Sequence, residues 1–183
     1  MSVAEHTPGP ALNLSDHPPP KGELALDVHK LLRVLCVTRA FPPVIGGMEA
    51  LSFEFTQALS RKTTVRLIAN RHGKRTLPAF LPWAALQLRR LSKTADIIHL
   101  GDPLLTILLP TLPFPHPPIA VTIHGLDILY PHTLYQALLR RFLPRVDLAI
   151  CISHFVEREL RKRFPTVQTF VMTPGISGSF TVE

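Results

Sequence analysis

The chain has 183 residues, of which 46% are hydrophobic and 18% charged, a balance typical of one globular domain with its own core. The net charge of +7 indicates an anionic partner such as a nucleic acid, a phosphate-bearing ligand or an acidic membrane, or else a basic surface alone. Two cysteines, Cys36 and Cys151, are too few for a disulfide scaffold, and their apolar surroundings predict buried free thiols.

Residues 1–30 are rich in Pro, Ser, Asp and His without a hydrophobic period, which predicts a flexible tail without a secretory signal. Apolar runs beyond it predict strands at 31–38, 64–70, 96–100, 119–125, 147–153 and 168–175. The segments between these runs predict helices at 47–62, 81–94, 102–110, 133–145 and 154–164.

Strands and helices alternate along the whole sequence, and the strands are apolar on both faces. This pattern predicts an α/β fold, a single Rossmann-like doubly wound parallel sheet with helices on both sides, over residues 31–175. The apolar stretch 103–123 contains six prolines, which makes it a poor transmembrane helix.

Polar residues and glycines collect at the carboxyl ends of the predicted strands, where ligands bind in sheets of this kind. The residues concerned are Arg39, His99, Asp102, His124, Gly125, Asp127 and Ser153. We therefore expect this edge of the sheet to be the functional face. Ser153 also fits an N-cap of the helix that follows it.

The stretch FPPVIGGMEA, residues 41–50, places Gly46 and Gly47 where the first strand leads into a helix. Free backbone amides and the helix dipole favour a negative group at such a position, and glycine lets a phosphate come close. The alternative is that the glycines only permit a tight turn. Neither a GxGxxG nor a GxxxxGK[ST] motif is present.

FPPVIGGMEA resembles the N-terminal signature of the GT-B fold glycosyltransferases of family 4. ADIIHLGDP, VTIHGLD, AICISHFVERELRKRF and TPGIS follow in that family's order, so that the resemblance covers about residues 31–180. It implies the acceptor-binding half of a retaining enzyme that transfers a sugar from a nucleotide-sugar donor to a glycan or lipid-linked acceptor.

The resemblance also implies roles for individual residues. Gly46 and Gly47 would approach the donor phosphates. His124 and Asp127 would be the catalytic residues, His124 in contact with the donor sugar and Asp127 shaping the same floor. The remaining residues at the strand ends would line the cleft: Arg39, His99, Asp102, Gly125 and Ser153. For Glu49 we favour simple stabilisation of the helix dipole.

His99, Asp102, His124 and Asp127 could in principle form a metal site, because two histidines and two carboxylates are a common ligand set. The resembled family needs no metal, so we expect neither a metal nor a cofactor, only the nucleotide sugar as a substrate. The sequence has no GxSxG motif of a serine hydrolase.

Residues 176–183 correspond to the start of the family's interdomain linker, and we expect the donor-binding domain to be missing from this sequence. The chain alone would then be inactive, and a separate donor-binding chain could complete it. The alternative is a non-catalytic module that binds a glycan or a lipid. No nucleic-acid-binding motif is present, so a nucleic-acid partner is not expected.

Arginine and lysine recur in the helices predicted at 81–94, 133–145 and 154–164. With Trp83 and Leu86, the first of these helices could lie on an anionic membrane, as a peripheral contact of a cytoplasmic protein at the inner membrane face. Amphipathic helices of globular domains show the same pattern, and we expect Trp83 and Leu86 to pack into the core.

Overall fold

A computed structural model describes residues 32–173 of the chain. The expected tail at 1–30 and the expected linker at 176–183 lie outside the described residues, as do Pro174 and Gly175 at the end of the last predicted strand. Within residues 32–173, no helix is both long enough and apolar enough to cross a bilayer.

Six strands and five α-helices follow one another along the described residues. The strands are β1 (Arg33–Thr38), β2 (Thr64–Ala69), β3 (Ile97–Leu100), β4 (Ile119–Ile123), β5 (Leu148–Cys151) and β6 (Thr169–Val171). The helices are α1 (Gly47–Ser60), α2 (Leu77–Leu91), α3 (Leu126–Leu129), α4 (Thr133–Phe142) and α5 (His154–Arg163). Short 3₁₀ helices span Lys74–Thr76, Ser92–Thr94, Pro103–Thr111 and Leu143–Arg145.

The strands form one all-parallel sheet in the order β2-β1-β3-β4-β5-β6, which confirms the predicted Rossmann-like α/β fold. The strand order reverses between β1 and β3. The chain first adds β2 on one side of β1, and then adds β3, β4, β5 and β6 in turn on the other side. In such sheets the crevice outside this switch point is the usual ligand site.

The core lies on one face of the sheet, which we call the packed face. Leu35, Val37, Ile98 and Val121 point from the strands into it, and α2, α4 and α5 cover it together with the 3₁₀ helix Pro103–Thr111. Right-handed crossovers explain this arrangement, since every connection after β2 runs in the same direction across the sheet.

The other face, which we call the open face, is covered among the described residues by α1 alone. Cys36, His99 and Thr122 point from β1, β3 and β4 toward this helix. No residue of α1 is buried, although Leu51 and Phe55 belong to an apolar stripe at helical spacing. Helices therefore flank the sheet on both sides, as predicted, but very unequally.

The helix predictions at 81–94 and 102–110 were wrong in detail. Helix α2 begins at Leu77 rather than at residue 81, because Pro78 occupies its first turn, and Pro82 lies inside the helix. Trp83 and Leu86 are 49% and 46% exposed rather than packed into the core.

The segment predicted as a short α-helix at 102–110 is instead the 3₁₀ helix Pro103–Thr111. A proline, Pro110, lies inside it and cannot donate the hydrogen bond that a regular α-helix would need there, whereas Pro103 in the first position removes no such donor. Between β4 and α4 the chain also forms one turn of helix, α3, where the sequence pattern predicts no element.

Candidate functional site

The carboxyl ends of β1 and β3 meet closely at the switch point. The N–H of Gly101 donates to the carbonyl of Val37 over 2.7 Å. A β-carbon at Gly101 would lie 2.9 Å from Oγ1 of Thr38 and 3.2 Å from the same carbonyl, so only glycine fits between these two strands. This close approach brings the residues after β1 and β3 into one cluster.

An ion pair spans the switch point. Nε of Arg39, which follows β1, lies 2.9 Å from Oδ2 of Asp102, which follows β3. Asp102 is 1% exposed, and its Oδ1 accepts a hydrogen bond from the N–H of Leu104, which caps the 3₁₀ helix. Two cleft-lining residues predicted from the sequence are thus direct partners.

Burial and charge act in opposite directions on this pair. Burial raises the pKa of Asp102, and the Arg39 guanidinium counteracts part of that increase. Burial alone would lower the pKa of Arg39, but the Asp102 carboxylate outweighs it, so the Arg39 pKa is raised. Each of the two charged groups is therefore stabilised by the other in a poorly solvated site.

His124 follows β4 and lies across from this pair. Its Nε2 is 2.8 Å from the carbonyl oxygen of Gly101. Because a carbonyl only accepts, Nε2 must carry the proton, and in the neutral ring Nδ1 is left as an acceptor. The structure records no hydrogen bond at Nδ1 from any residue within 32–173.

Asp127 lies in α3, and its Oδ2 accepts a hydrogen bond from the backbone N–H of His124 over 3.3 Å. Gly125 between them has φ +95°, a conformation that favours glycine, and a β-carbon there would meet Val156 at 3.0 Å. The HGLD segment is therefore a tight turn that the Asp127 carboxylate closes on itself.

His99 lies within β3 rather than after it, and it faces α1. Its Nε2 is 2.8 Å from Oγ1 of Thr122, and its ring is tilted against Phe55 with centroids 4.5 Å apart. Burial, with a smaller contribution from nearby His124, lowers the His99 pKa to about 4. The ring is therefore neutral near pH 7, and His99 belongs to the open face rather than to the ion pair.

The loop that carries Gly46 and Gly47 lies at the N-terminus of α1, where no side chain caps the helix. Gly46 is extended, and neither glycine has a positive φ. A β-carbon on Gly47 would meet no atom within 4 Å, and the atoms nearest to one on Gly46 belong to the flexible Glu49 carboxylate. The backbone of the tight turn therefore does not require glycine at either position.

Ser153 follows β5 and caps α5, because its Oγ accepts a hydrogen bond from the N–H of Val156 over 3.3 Å. The N-cap interpretation of Ser153 is thus confirmed. This bond occupies the hydroxyl within its own chain segment.

Tyr135 is a member of the site that the sequence did not indicate. Burial raises its pKa above the usual value, and the carboxylates of Asp127 and Asp102 raise it further, while Arg39 opposes them. Its helix, α4, therefore brings a neutral phenol toward the charged residues of the switch point. Only the position of Tyr135 near the start of the helix after the HGLD turn could have pointed to it.

No group of three or more His, Cys, Asp and Glu side chains arranged for a metal ion occurs between residues 32 and 173. The four residues weighed as metal ligands instead have protein partners. His99 contacts Thr122, His124 contacts Gly101, Asp102 pairs with Arg39, and Asp127 accepts from the backbone.

Comparison with known proteins agrees with the fold and with the sequence motifs. No curated protein sequence matches the chain significantly. The sequence profile of Glycosyltransferase Family 4 matches residues 33–177, which include every strand of the sheet and every candidate site residue. The chain therefore belongs to Glycosyltransferase Family 4.

Proposed function

We propose that this domain is the acceptor-binding half of a GT-B glycosyltransferase and takes part in sugar transfer from a nucleotide-sugar donor. One observation carries the proposal: the backbone at Gly47, at a helix N-terminus without a side-chain cap, is open although the local backbone does not require glycine there. Such a site suits the donor phosphates, because the amides and the helix dipole act on a group that needs stabilisation as it leaves.

The other site residues receive roles from their contacts. His124 is the proposed catalytic residue that contacts the donor sugar, since its Nδ1 is available for a hydroxyl. Asp127 acts on the HGLD turn and so positions His124. Arg39 and Asp102 fix the two sides of the switch point, and no metal takes part in this proposal.

The proposal requires a donor-binding domain that closes over the same edge of the sheet. This domain is either part of the same native protein or a separate chain. The intact mass of the native protein separates these cases: about 20.4 kDa would indicate a separate chain, and roughly twice that mass a second domain.

Gly47→Val tests the phosphate role in the active, completed enzyme. The valine side chain has open space, so we expect the free energy of unfolding to change little. It would occupy the position of the phosphate, however, and we expect turnover to fall at least tenfold, as for loss of a preorganised donor. Release of nucleoside diphosphate, measured with a panel of nucleotide sugars, reports the effect.

Ala50→Val is the matched control, because Ala50 is an exposed residue of the same helix. Unchanged turnover in Ala50→Val together with the loss in Gly47→Val would support the phosphate role. Equal turnover in Gly47→Val and the parent protein would contradict it.

A non-catalytic module that binds a lipid or a glycan is the second candidate function. A largely apolar cavity beside the site favours it, because such a cavity can hold a ligand without any donor. Acceptor binding without release of nucleoside diphosphate in any donor-completed form would favour this candidate.

We also propose peripheral contact with the inner face of the membrane through α2. Trp83 and Leu86 are exposed on this helix, and Arg89, Arg90 and Lys93 follow at its end. Aromatic and basic groups together suit an anionic bilayer surface. The two buried free thiols agree with a cytoplasmic location.

Sedimentation with phosphatidylglycerol vesicles tests the membrane contact. We expect the parent protein to sediment with the vesicles and Trp83→Ala/Leu86→Ala to remain in the supernatant. Phe114→Ala is the control, because Phe114 is an aromatic residue outside α2 that is even more exposed than Trp83. Equal sedimentation of all three proteins would contradict a role for α2.

A further inference from the structure

A cavity of about 270 Å³ lies on the open face of the sheet, between α1 and the strands. Leu51, Phe55 and Ala58 form its roof, while Ile152 and Met172 extend its floor toward the β6 edge. The volume approaches the lower end of the range for small-molecule sites and far exceeds the space of one water molecule. The apolar stripe of α1 therefore faces a space instead of a packed core.

Four hydroxyl groups around this cavity already have partners within the protein, those of Thr38, Ser52, Thr56 and Thr122. Oγ1 of Thr38 donates to the carbonyl of Ala40 and lies 3.2 Å from Oγ of Ser52. Oγ1 of Thr56 donates to the Ser52 carbonyl over 2.7 Å. These walls offer few hydrogen bonds to a ligand and are best filled by apolar atoms.

On the floor His99 follows the same rule, whereas His124 bonds through Nε2 alone within residues 32–173. His99 is paired with Thr122 and is neutral near pH 7, as its pKa of about 4 indicates. Among residues 32–173, the lining includes no lysine or arginine, and Glu54 is its only carboxylate. A phosphate or a charged sugar would therefore find no counter-ion here.

The cavity is continuous with the proposed active site. Gly101 and His124 line both the cavity and the switch point, so one end of the cavity lies where the sugar would be transferred. Away from this edge, Ala58 is exposed near the C-terminal end of α1, which leaves a path outward. A long ligand could thus place one end at His124 and the rest beneath α1.

We propose that the cavity beneath α1 binds the alkyl chain of a lipid acceptor, with the acceptor hydroxyl directed toward His124. The identification of this chain as an acceptor rests on the proposed function. The cavity walls themselves select an uncharged hydrocarbon chain over a glycan, because a glycan would lose its hydration without gaining hydrogen bonds.

Photolabelling of the 183-residue protein with dodecanol that carries a diazirine on its chain tests the inference. We expect saturable labelling of the cavity residues, located by mass spectrometry in peptides that contain Leu51–Ala58 or Ile152. Ala58→Phe should reduce this labelling at least tenfold by filling the cavity. Ala79→Phe is the matched control, because Ala79 is exposed on α2, on the opposite side of the sheet.

Leu51→Gln is a second variant that should reduce the labelling of the cavity, since it places a polar side chain in the roof at a half-buried position. Circular dichroism of each variant shows whether it is folded. Labelling that does not saturate, or that collects on exposed residues such as Phe114, would overturn the inference, as would equal labelling of Ala58→Phe and Ala79→Phe.

The labelling requires neither a donor nor sugar transfer, so its outcome is separate from that of the proposed function. Labelling of the cavity without transferase activity would leave a lipid-binding module. Transferase activity in the completed enzyme without labelling of the cavity would refute only the alkyl-chain site.

Discussion

Replacement of Arg39 by methionine is expected to lower the free energy of unfolding by about 3 kcal/mol at neutral pH. The variant leaves the Asp102 carboxylate 1% exposed without its cationic partner. Removal of one member of a buried ion pair typically costs 3–5 kcal/mol, and the lower end applies because the Arg39 side chain is itself 18% exposed. Urea unfolding followed by circular dichroism measures the loss.

The loss should depend on pH with a definite sign. Burial raises the folded-state pKa of Asp102, and without Arg39 nothing of comparable strength opposes it. A carboxyl whose folded pKa exceeds its unfolded value destabilises the protein as pH rises through that interval. The difference between Arg39→Met and the parent protein should therefore be smallest below about pH 4 and increase above it.

Arg39→Met/Asp102→Asn is the matched control for this prediction. The asparagine retains an oxygen for the Leu104 N–H but carries no charge, so the increase with pH should disappear. An Arg39→Met protein as stable as the parent at every pH would show that the ion pair contributes nothing to stability.

The sheet could be predicted from the sequence because its four central strands are mostly buried and are largely β-branched or apolar. Residues 119–123, IAVTI, illustrate this, since a short run of such apolar and β-branched residues is typical of a buried parallel strand. The boundaries of α2 and the 3₁₀ helix were less predictable. The prolines in these segments cannot donate a backbone hydrogen bond. Whether the chain there forms an α-helix or a 3₁₀ helix then depends on its contacts with the rest of the protein.

The cavity was not predictable from the sequence. The spacing of Leu51, Phe55 and Leu59 shows which side of α1 is apolar, but it does not show how closely that side approaches the sheet. The same limit explains Trp83 and Leu86, because helical periodicity does not determine which apolar residues of α2 meet the core.

The positions of the candidate site residues relative to the strands could be predicted, but their partners depended on tertiary structure. The rule that ligands bind at the carboxyl ends of parallel strands placed Arg39, Asp102 and His124 at one edge. It could not pair Arg39 with Asp102 or show that His99 points beneath α1, since both depend on the register of β1 against β3. Tyr135 entered the site only through the path of α4.

His124→Ala is expected to lower turnover by a factor on the order of 10² in the donor-completed enzyme, with a smaller change in acceptor KM. Two ring nitrogens could account for such a loss. Nε2 holds the ring to the Gly101 carbonyl over 2.8 Å, and Nδ1 is the atom proposed to accept from a sugar hydroxyl.

Two amide variants separate these contributions because their polar atoms lie at different distances along the side chain. His124→Gln can retain the bond to Gly101 without an atom at Nδ1, so we expect it to be as slow as His124→Ala. His124→Asn places its amide near the position of Nδ1, and we expect it to recover part of the turnover. Recovery in the glutamine variant alone would instead assign His124 a positioning role, because the bond to Gly101 would then suffice for transfer.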